Sequence, residues 1–291
     1  MQSVLVDFAK MEGIGNKIIV VDMRGCVDNI TTDAINLLSM DDIINFDQIM
    51  FIHDSHNSLV DAFIRIINHD GSEAQSCGNG MRCVVRFLSS KMKTKYFTFE
   101  TIRGLIVAKV NADGSISIDM GEPIFYWKHI PLAQPFDEVD RDKFHIGPIN
   151  HFYLHSPFVV SMGNPHAIFF VENDIYQYDL SGFGQRLERN SMFPEGVNVS
   201  IAQVTSCSDL NLRTWERGAG LTAACGSASC ASVVASGCLG KTGRVVSVKM
   251  LGGSLSIEWH ENNHVFMTGE ANKEWDGKLD IKTGKWTKNE V

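Results

Sequence analysis

Two cysteines stand where their chemistry could matter. Cys77 opens the segment Cys77-Gly78-Asn79-Gly80-Met81-Arg82-Cys83, and Cys225 opens Cys225-Gly226-Ser227-Ala228-Ser229-Cys230. Each segment reads as the start of a helix. A thiol there is a candidate thiolate, because the helix dipole and the unpaired first N–H groups favour the anion. The glycine after each cysteine lets a ligand approach the backbone. The two cysteines lie 148 positions apart, and the same offset carries Gly15-Asn16 onto Gly163-Asn164 and Asn68 onto Glu216. The pattern is that of a duplicated domain with one reactive thiol per copy. Two such thiols facing each other across a domain interface would be a two-sided acid/base pair.

Other uses of cysteine compete with this one. An unbridged cysteine is usually a small buried hydrophobe. That is the preferred reading for Cys26, Cys207 and Cys238, and for Cys83 and Cys230 within their helices. A zinc site is disfavoured: the C-x₅-C and C-x₄-C spacings miss the usual close pairs, and His53 and His56 have no thiol nearby. A redox pair of Cys77 with Cys225 stays open, although it lacks C-x-x-C spacing. Around the two thiols, Asn16, Asn68, Asn79, Asn164, Asn198, Glu216 and Arg217 fall at strand ends or in glycine-bearing turns. A single Asn in a turn is ordinarily turn chemistry. Arg217 beside Glu216 suits the carboxylate and the ammonium group of one zwitterion.

The elements that must hold these residues are mostly short strands. Ile18–Asp22 and Ala167–Glu172 are strand-like and follow the two Gly-Asn pairs. Asp61–Ile67 is apolar with one charged break. Leu105–Val110 and Ser115–Met120 flank Asp113-Gly114, a hairpin turn. Arg244–Met250, Ser254–Trp259 and His264–Met267 read as a second meander. Helices are expected over Gly78–Ser90 and Gly226–Ser236, with weaker candidates at Thr32–Met40 and Tyr176–Glu188. Pro131, Pro135 and Asp137–Asp140 read as a linker or exposed loop. The fold class is α+β: two pseudo-symmetric domains, each an antiparallel curved sheet around a central helix. The expected division is residues 1–125 and 126–274, with 275–291 returning to the first domain.

Composition bounds the function. A chain of 291 residues fits two domains, and 44% apolar residues supply a core for each. A net charge of −8 argues against a nucleic-acid partner, which needs a basic stripe. No apolar run approaches the ~18 residues of a membrane span, and no signal peptide is apparent. Seven cysteines, an odd count, argue against a disulfide framework. The expectation is a soluble cytoplasmic protein with a small-molecule partner.

The set Lys10–Asn16 (K-M-E-G-I-G-N), Asn68–Cys83 (N-H-D-G-S-E-A-Q-S-C-G-N-G-M-R-C), Ser161–His166 (S-M-G-N-P-H), Gly196–Val199 (G-V-N-V) and Glu216–Ser227 (E-R-G-A-G-L-T-A-A-C-G-S) resembles the diaminopimelate epimerase family, in the family's order and over nearly the whole chain. The resemblance implies a cofactor-independent, metal-free isomerase that converts LL-diaminopimelate to the meso form in lysine and peptidoglycan biosynthesis. It implies Cys77 and Cys225 as the two catalytic bases and His166 and Glu216 as auxiliary groups. It implies substrate contacts from Asn16, Gln48, Asn68, Asn79, Asn164, Asn198, Glu216 and Arg217, with Gly78, Gly226 and Ser227 offering backbone amides. It also implies a homodimer. Three positions depart from the family's frequent residues: Glu12, Leu221 and Ala228. None of them is a base or a direct ligand. Three other readings are a related isomerase such as a proline racemase, a thiol redox protein closing a Cys77–Cys225 disulfide, and a non-catalytic amino-acid binder.

Overall fold

The computed structural model describes residues 3–74 and 77–290. Gln75 and Ser76, just before Cys77, and Val291, at the end of the returning segment, lie outside the described residues. The chain divides into two compact units: residues up to Asp119 with those from Thr268 onward, and Met120–Met267. The sequence reading places these divisions near 125 and 275. Both fall about six residues earlier, at Asp119/Met120 and Met267/Thr268.

The first unit begins with β1 (Leu5–Gly13), β2 (Asn16–Asp22), α1 (Thr32–Ser39), β3 (Gln48–His53), β4 (Ala62–Asn68) and β5 (Glu73–Ala74). Then come α2 (Gly78–Ser89), β6 (Tyr96–Thr101), β7 (Gly104–Val110) and β8 (Ile116–Asp119). β1 pairs antiparallel with β2 on one side and with the returning strand Asn272–Asp280 on the other. β2 runs parallel to β3, and the connection between them carries α1, the crossover that a parallel pair needs. β3 pairs antiparallel with β4, and β4 runs parallel to β6. β6, β7 and β8 form an antiparallel meander. α2 packs against β1, β2, β3, β7, β8 and the returning strand. It can be surrounded in this way because Met81, Cys83, Val84, Val85, Phe87 and Leu88 clothe most of its circumference, and all are buried.

The second unit opens with α3 (Glu138–Lys143) and the hairpin β9 (His145–Ile149) and β10 (Phe152–His155). The sequence reading has an exposed loop at Asp137–Asp140. The structure instead starts a helix there, because Asp137 and Asp140 form a reciprocal capping box that satisfies the first backbone N–H groups. Next come β11 (Phe158–Ser161), β12 (Pro165–Phe170), α4 (Leu180–Glu188), β13 (Asn198–Ser206), β14 (Asp209–Glu216) and β15 (Gly220–Thr222). α5 (Gly226–Cys238), β16 (Val245–Met250), β17 (Gly253–Trp259) and β18 (Val265–Gly269) follow. α4 begins later than the expected Tyr176, because the Asp179 carboxylate caps it by accepting from Gly182 N.

The pairings of β11 to β17 repeat those of β1 to β7 in kind and order. β11–β12 is antiparallel, β12–β13 parallel across α4, β13–β14 antiparallel, β14–β16 parallel and β16–β17 antiparallel. α5 packs against β11, β12, β13, β16 and β17. Its Ala, Ser and Val side chains allow that close approach. Each sheet is therefore mainly antiparallel, with two parallel pairs supplied by the crossovers.

Candidate active site

In each unit one helix starts at a cysteine, and strand ends gather around it. Cys77 is the N-cap of α2, in extended backbone, and its Sγ accepts from Gly80 N at 3.1 Å. It is half-buried. A sulfur in the capping position takes the place of the oxygen that usually satisfies these N–H groups, so the helix end favours negative charge there.

Beside it, Asn79 in the first turn of α2 donates from Nδ2 to Asn16 Oδ1 at 2.5 Å. Asn16 opens β2, straight after Gly15, whose φ of +80° turns the chain between β1 and β2. Gln48 and Asn68 are register partners across β3 and β4, and Gln48 Nε2 donates to Asn68 Oδ1 at 2.8 Å. Asn68 passes a donor on to Ser72 Oγ at 3.0 Å. Glu12, one of the departures, accepts from Gly15 N within the same turn.

The second unit builds a parallel arrangement. Cys225 is the N-cap of α5 and is buried. Its Sγ lies 3.5 Å from Ser227 Oγ, Asn164 Nδ2 donates to Ser227 Oγ at 3.3 Å, and His166 Nε2 lies 2.9 Å from Asn164 Oδ1. The amide oxygen can only accept, so His166 donates from Nε2. A continuous chain of polar contacts therefore joins the buried His166 to the thiol. Gly163, with φ of +88°, makes the turn before Asn164, as Gly15 does before Asn16.

Asn198 opens β13 opposite His166 in the parallel register. Its Nδ2 donates to Pro165 O at 3.1 Å, and its Oδ1 accepts from Arg217 N at 2.9 Å. Glu216 ends β14. Arg217 is exposed in the turn that follows, and its Nη1 donates to Glu195 O at 2.8 Å.

Electrostatics separate the buried thiols. Burial holds the Cys225 thiol well above the usual thiol range; the Glu216 carboxylate adds to this, while Ser227 and Ala228 act in the opposite direction without offsetting it. Burial also raises the Glu216 carboxyl, against smaller opposing effects of Thr222 and Cys225. Cys83, one and a half turns into α2, is pushed up chiefly by burial and is inert. A cavity of about 110 Å³ opens beside Cys225, and Thr214, Leu221, Thr222 and Met250 are among its lining residues.

Within the first unit the structure brings Asn16, Gly78 and Asn79 together next to Cys77, and pairs Gln48 with Asn68. Within the second it joins His166, Asn164 and Ser227 to Cys225, sets Glu216 against the same thiol, and ties Asn198 to Arg217. Asn79 lies in a helix rather than at a strand end or in a turn.

Three expectations about the other cysteines are corrected. Cys207 and Cys238 are exposed and Cys26 is half-buried, whereas Cys83 and Cys230 are buried as expected. Cys207 sits in the β13–β14 turn and Cys238 at the last position of α5, both places where the chain meets solvent. No disulfide links the seven cysteines. Sequence reasoning did not single out Arg82, buried on α2 and bonded to Asn79, or Asp47, which accepts from Asn16 and Lys17. The two arginines, Arg82 and Arg86, that interrupt the otherwise apolar run of α2 were the available signal.

No helix among the described residues is long and apolar enough to cross a membrane. The family described as diaminopimelate epimerase matches residues 8–126 and 158–274 of this chain. A diaminopimelate epimerase of Rhizobium leguminosarum bv. trifolii (strain WSM2304) is 51% identical over 99% of this chain and 97% of its own length. That of Rhizobium meliloti (strain 1021) is 53% identical over 98% and 95%. Among solved structures, a phenazine biosynthesis protein of the PhzF family from Enterococcus faecalis has a TM-score of 0.64 at 15% identity, over 95% of this chain and 99% of that one. A hydroxyproline epimerase from Agrobacterium vitis has a TM-score of 0.63 at 14% identity, over 95% and 93%. At such identities the structures share the fold alone. The sequence matches go further, and the chain belongs to the diaminopimelate epimerase family.

Proposed function

We propose that this chain is an isomerase that interconverts LL- and meso-diaminopimelate without pyridoxal phosphate, using Cys77 and Cys225 as its two proton-transfer groups. The observation that carries this reading is the placement of the two thiols: each caps the helix enclosed by its unit's sheet, at equivalent positions of a duplicated fold. Inverting a stereocentre requires a proton to leave one face of the α-carbon and another to arrive at the opposite face. One thiolate and one thiol do this, and they exchange roles with reaction direction.

Charge that develops on the α-carboxylate is met by backbone N–H groups at the helix starts, from Gly78 and Asn79 on one side and Gly226 and Ser227 on the other. Asn16, Gln48, Asn68, Asn164, Asn198, Glu216 and Arg217 hold the remaining polar groups of the substrate. His166 acts through Asn164 and Ser227 on the Cys225 side, and Glu216 keeps that thiol protonated. The reading extends to a homodimer in the cytoplasm, resting on the family resemblance.

The test is α-hydrogen exchange in deuterated water. Incubation with LL-diaminopimelate should yield the meso isomer with one deuterium at the inverted carbon. Exchange with proline and none with diaminopimelate would move the assignment to a racemase of the same fold. Absence of exchange with either, in folded protein, would overturn it.

A further inference from the structure

In the first unit the hydrogen bonds run one way, from a buried cation to an exposed carboxylate. Arg82 is fully buried on α2 and donates from Nη2 to Asn79 Oδ1 at 2.9 Å. Asn79 donates from Nδ2 to Asn16 Oδ1 at 2.5 Å. Asn16 donates from Nδ2 to Asp47 Oδ2 at 3.3 Å, and the same carboxylate oxygen accepts from Lys17 N at 2.8 Å. Arginine offers only donors, and an ionised aspartate only acceptors. Turning over the Asn79 amide would set donor against donor at Arg82. Turning over the Asn16 amide would set acceptor against acceptor at Asp47. Both ends thus impose the same direction.

The duplicated unit supplies an internal comparison. The offset of 148 puts Asn164 in the place of Asn16, Ser227 in the place of Asn79 and Cys230 in the place of Arg82. There the residue before β12 donates to the helix residue, Asn164 Nδ2 to Ser227 Oγ, and Asn164 Oδ1 is taken by His166. The direction between this asparagine and the helix residue is reversed. It is therefore not a property of the shared backbone. It differs where one copy has an arginine, Arg82, and the other has a cysteine, Cys230, at the corresponding position.

We propose that Arg82 and Asp47 are positioning residues that fix, from opposite ends, the amide orientation of Asn79 and Asn16, so that both present N–H groups to a carboxylate of the substrate. This rests on the reading that those two asparagines contact the substrate. With their oxygens turned into the relay, each amide keeps the second N–H of its nitrogen to donate elsewhere. Arg82 also donates from Nε to Glu270 O at 3.1 Å, which fixes the guanidinium itself.

The test is a double-mutant cycle on diaminopimelate turnover. Arg82→Met should raise KM about 10-fold, the loss expected of one oriented hydrogen bond, with kcat changed less than about 3-fold. In an Asn79→Ala background the same change should add less than about 2-fold, because Arg82 acts through Asn79. Additive effects, or an unchanged KM in a folded Arg82→Met protein, overturn the proposal. If Arg82→Met does not fold, the exposed end decides. Asp47→Ala should raise KM about 5-fold, and not further in Asn16→Ala. An unchanged KM overturns the relay.

A second readout needs no turnover. The side-chain ¹⁵N amide signals of Asn79 and Asn16 in ligand-free protein should shift in Asp47→Ala or Arg82→Met, and unshifted signals overturn the relay. Wild-type protein that leaves diaminopimelate unchanged would instead sink the epimerase reading, while the amide signals would still judge the relay.

Discussion

The carboxyl of Glu216, at the end of β14, lies against the thiol of Cys225, at the start of α5. The sign of the coupling follows from charge. Burial disfavours the thiolate, and a carboxylate beside it disfavours the thiolate further. A raised pKa keeps the proton on sulfur, so Cys225 is held as a thiol at neutral pH. It becomes nucleophilic only above the ordinary thiol range.

Alkylation should read this directly. With peptide mapping to separate the cysteines, iodoacetamide labelling of Cys225 in the resting protein should be slow at pH 8 and rise only above about pH 9. Glu216→Gln removes the neighbouring negative charge and should move that rise to lower pH. A profile that stays put or moves upward would show that the carboxylate is not a cause of the shift.

Removing either sulfur should remove turnover. Cys77→Ala and Cys225→Ala are each expected to lower kcat for diaminopimelate by about 10³-fold or more, within the range for loss of a positioned acid or base. The circular dichroism spectrum should be unchanged, since each substitution removes a single sulfur at a helix start and leaves the backbone conformation available to alanine. Near-normal turnover by either variant would end the two-base reading.

Two glycines separate rigid from yielding neighbours. A Cβ at Gly184 in α4 would sit 2.2 Å from Trp215 Cγ, and that indole is fixed by its Nε1 bond to Glu188 Oε2 at 2.7 Å. Gly184→Ala should cost about 1–3 kcal/mol in urea unfolding. It should also raise KM, because Glu188 anchors Gly218 N at 3.0 Å, next to Arg217. A Cβ at Gly80 would meet Met50 Sδ at 2.5 Å, but that is the flexible end of a methionine. Gly80→Ala should cost less than Gly184→Ala. Equal losses would mean that Met50 does not yield.

Turnover should survive chelator and carbonyl reagents. The sequence carries no P-loop, dinucleotide fingerprint or close metal-ligand spacing. Dialysis against a chelator, followed by hydroxylamine under reducing conditions, should leave the rate unchanged. A loss restored by a metal ion or by pyridoxal phosphate would count against the cofactor-free reaction.

The sequence by itself determined the two helix-capping cysteines, the duplication and the α+β class. These rest on local signals: Cys-Gly before a helical run, a repeated offset of 148, and alternating apolar residues broken by turn residues. The positions of Asn16, Asn68, Asn198 and Glu216 at strand ends, and of Asn164 in the turn before β12, were legible for the same reason. Contacts between residues distant in sequence were left to the tertiary structure.

Arg82 is six residues from the helix start at Cys77 inclusive of both ends, yet its Nε partner is the carbonyl of Glu270, 188 positions away. The chain from His166 to Cys225 needs α5 packed on β12, and nothing in either segment announces the other. The parallel pairs depend on the crossovers closing, which local alternation does not encode. Cys207 and Cys238 have the composition of buried thiols and are exposed only because a turn and a helix end bring them to the surface. The raised pKa of Cys225 is of the same kind: it comes from water excluded by the fold and from a carboxylate delivered by another strand, and neither exists until the sheet has closed around the helix.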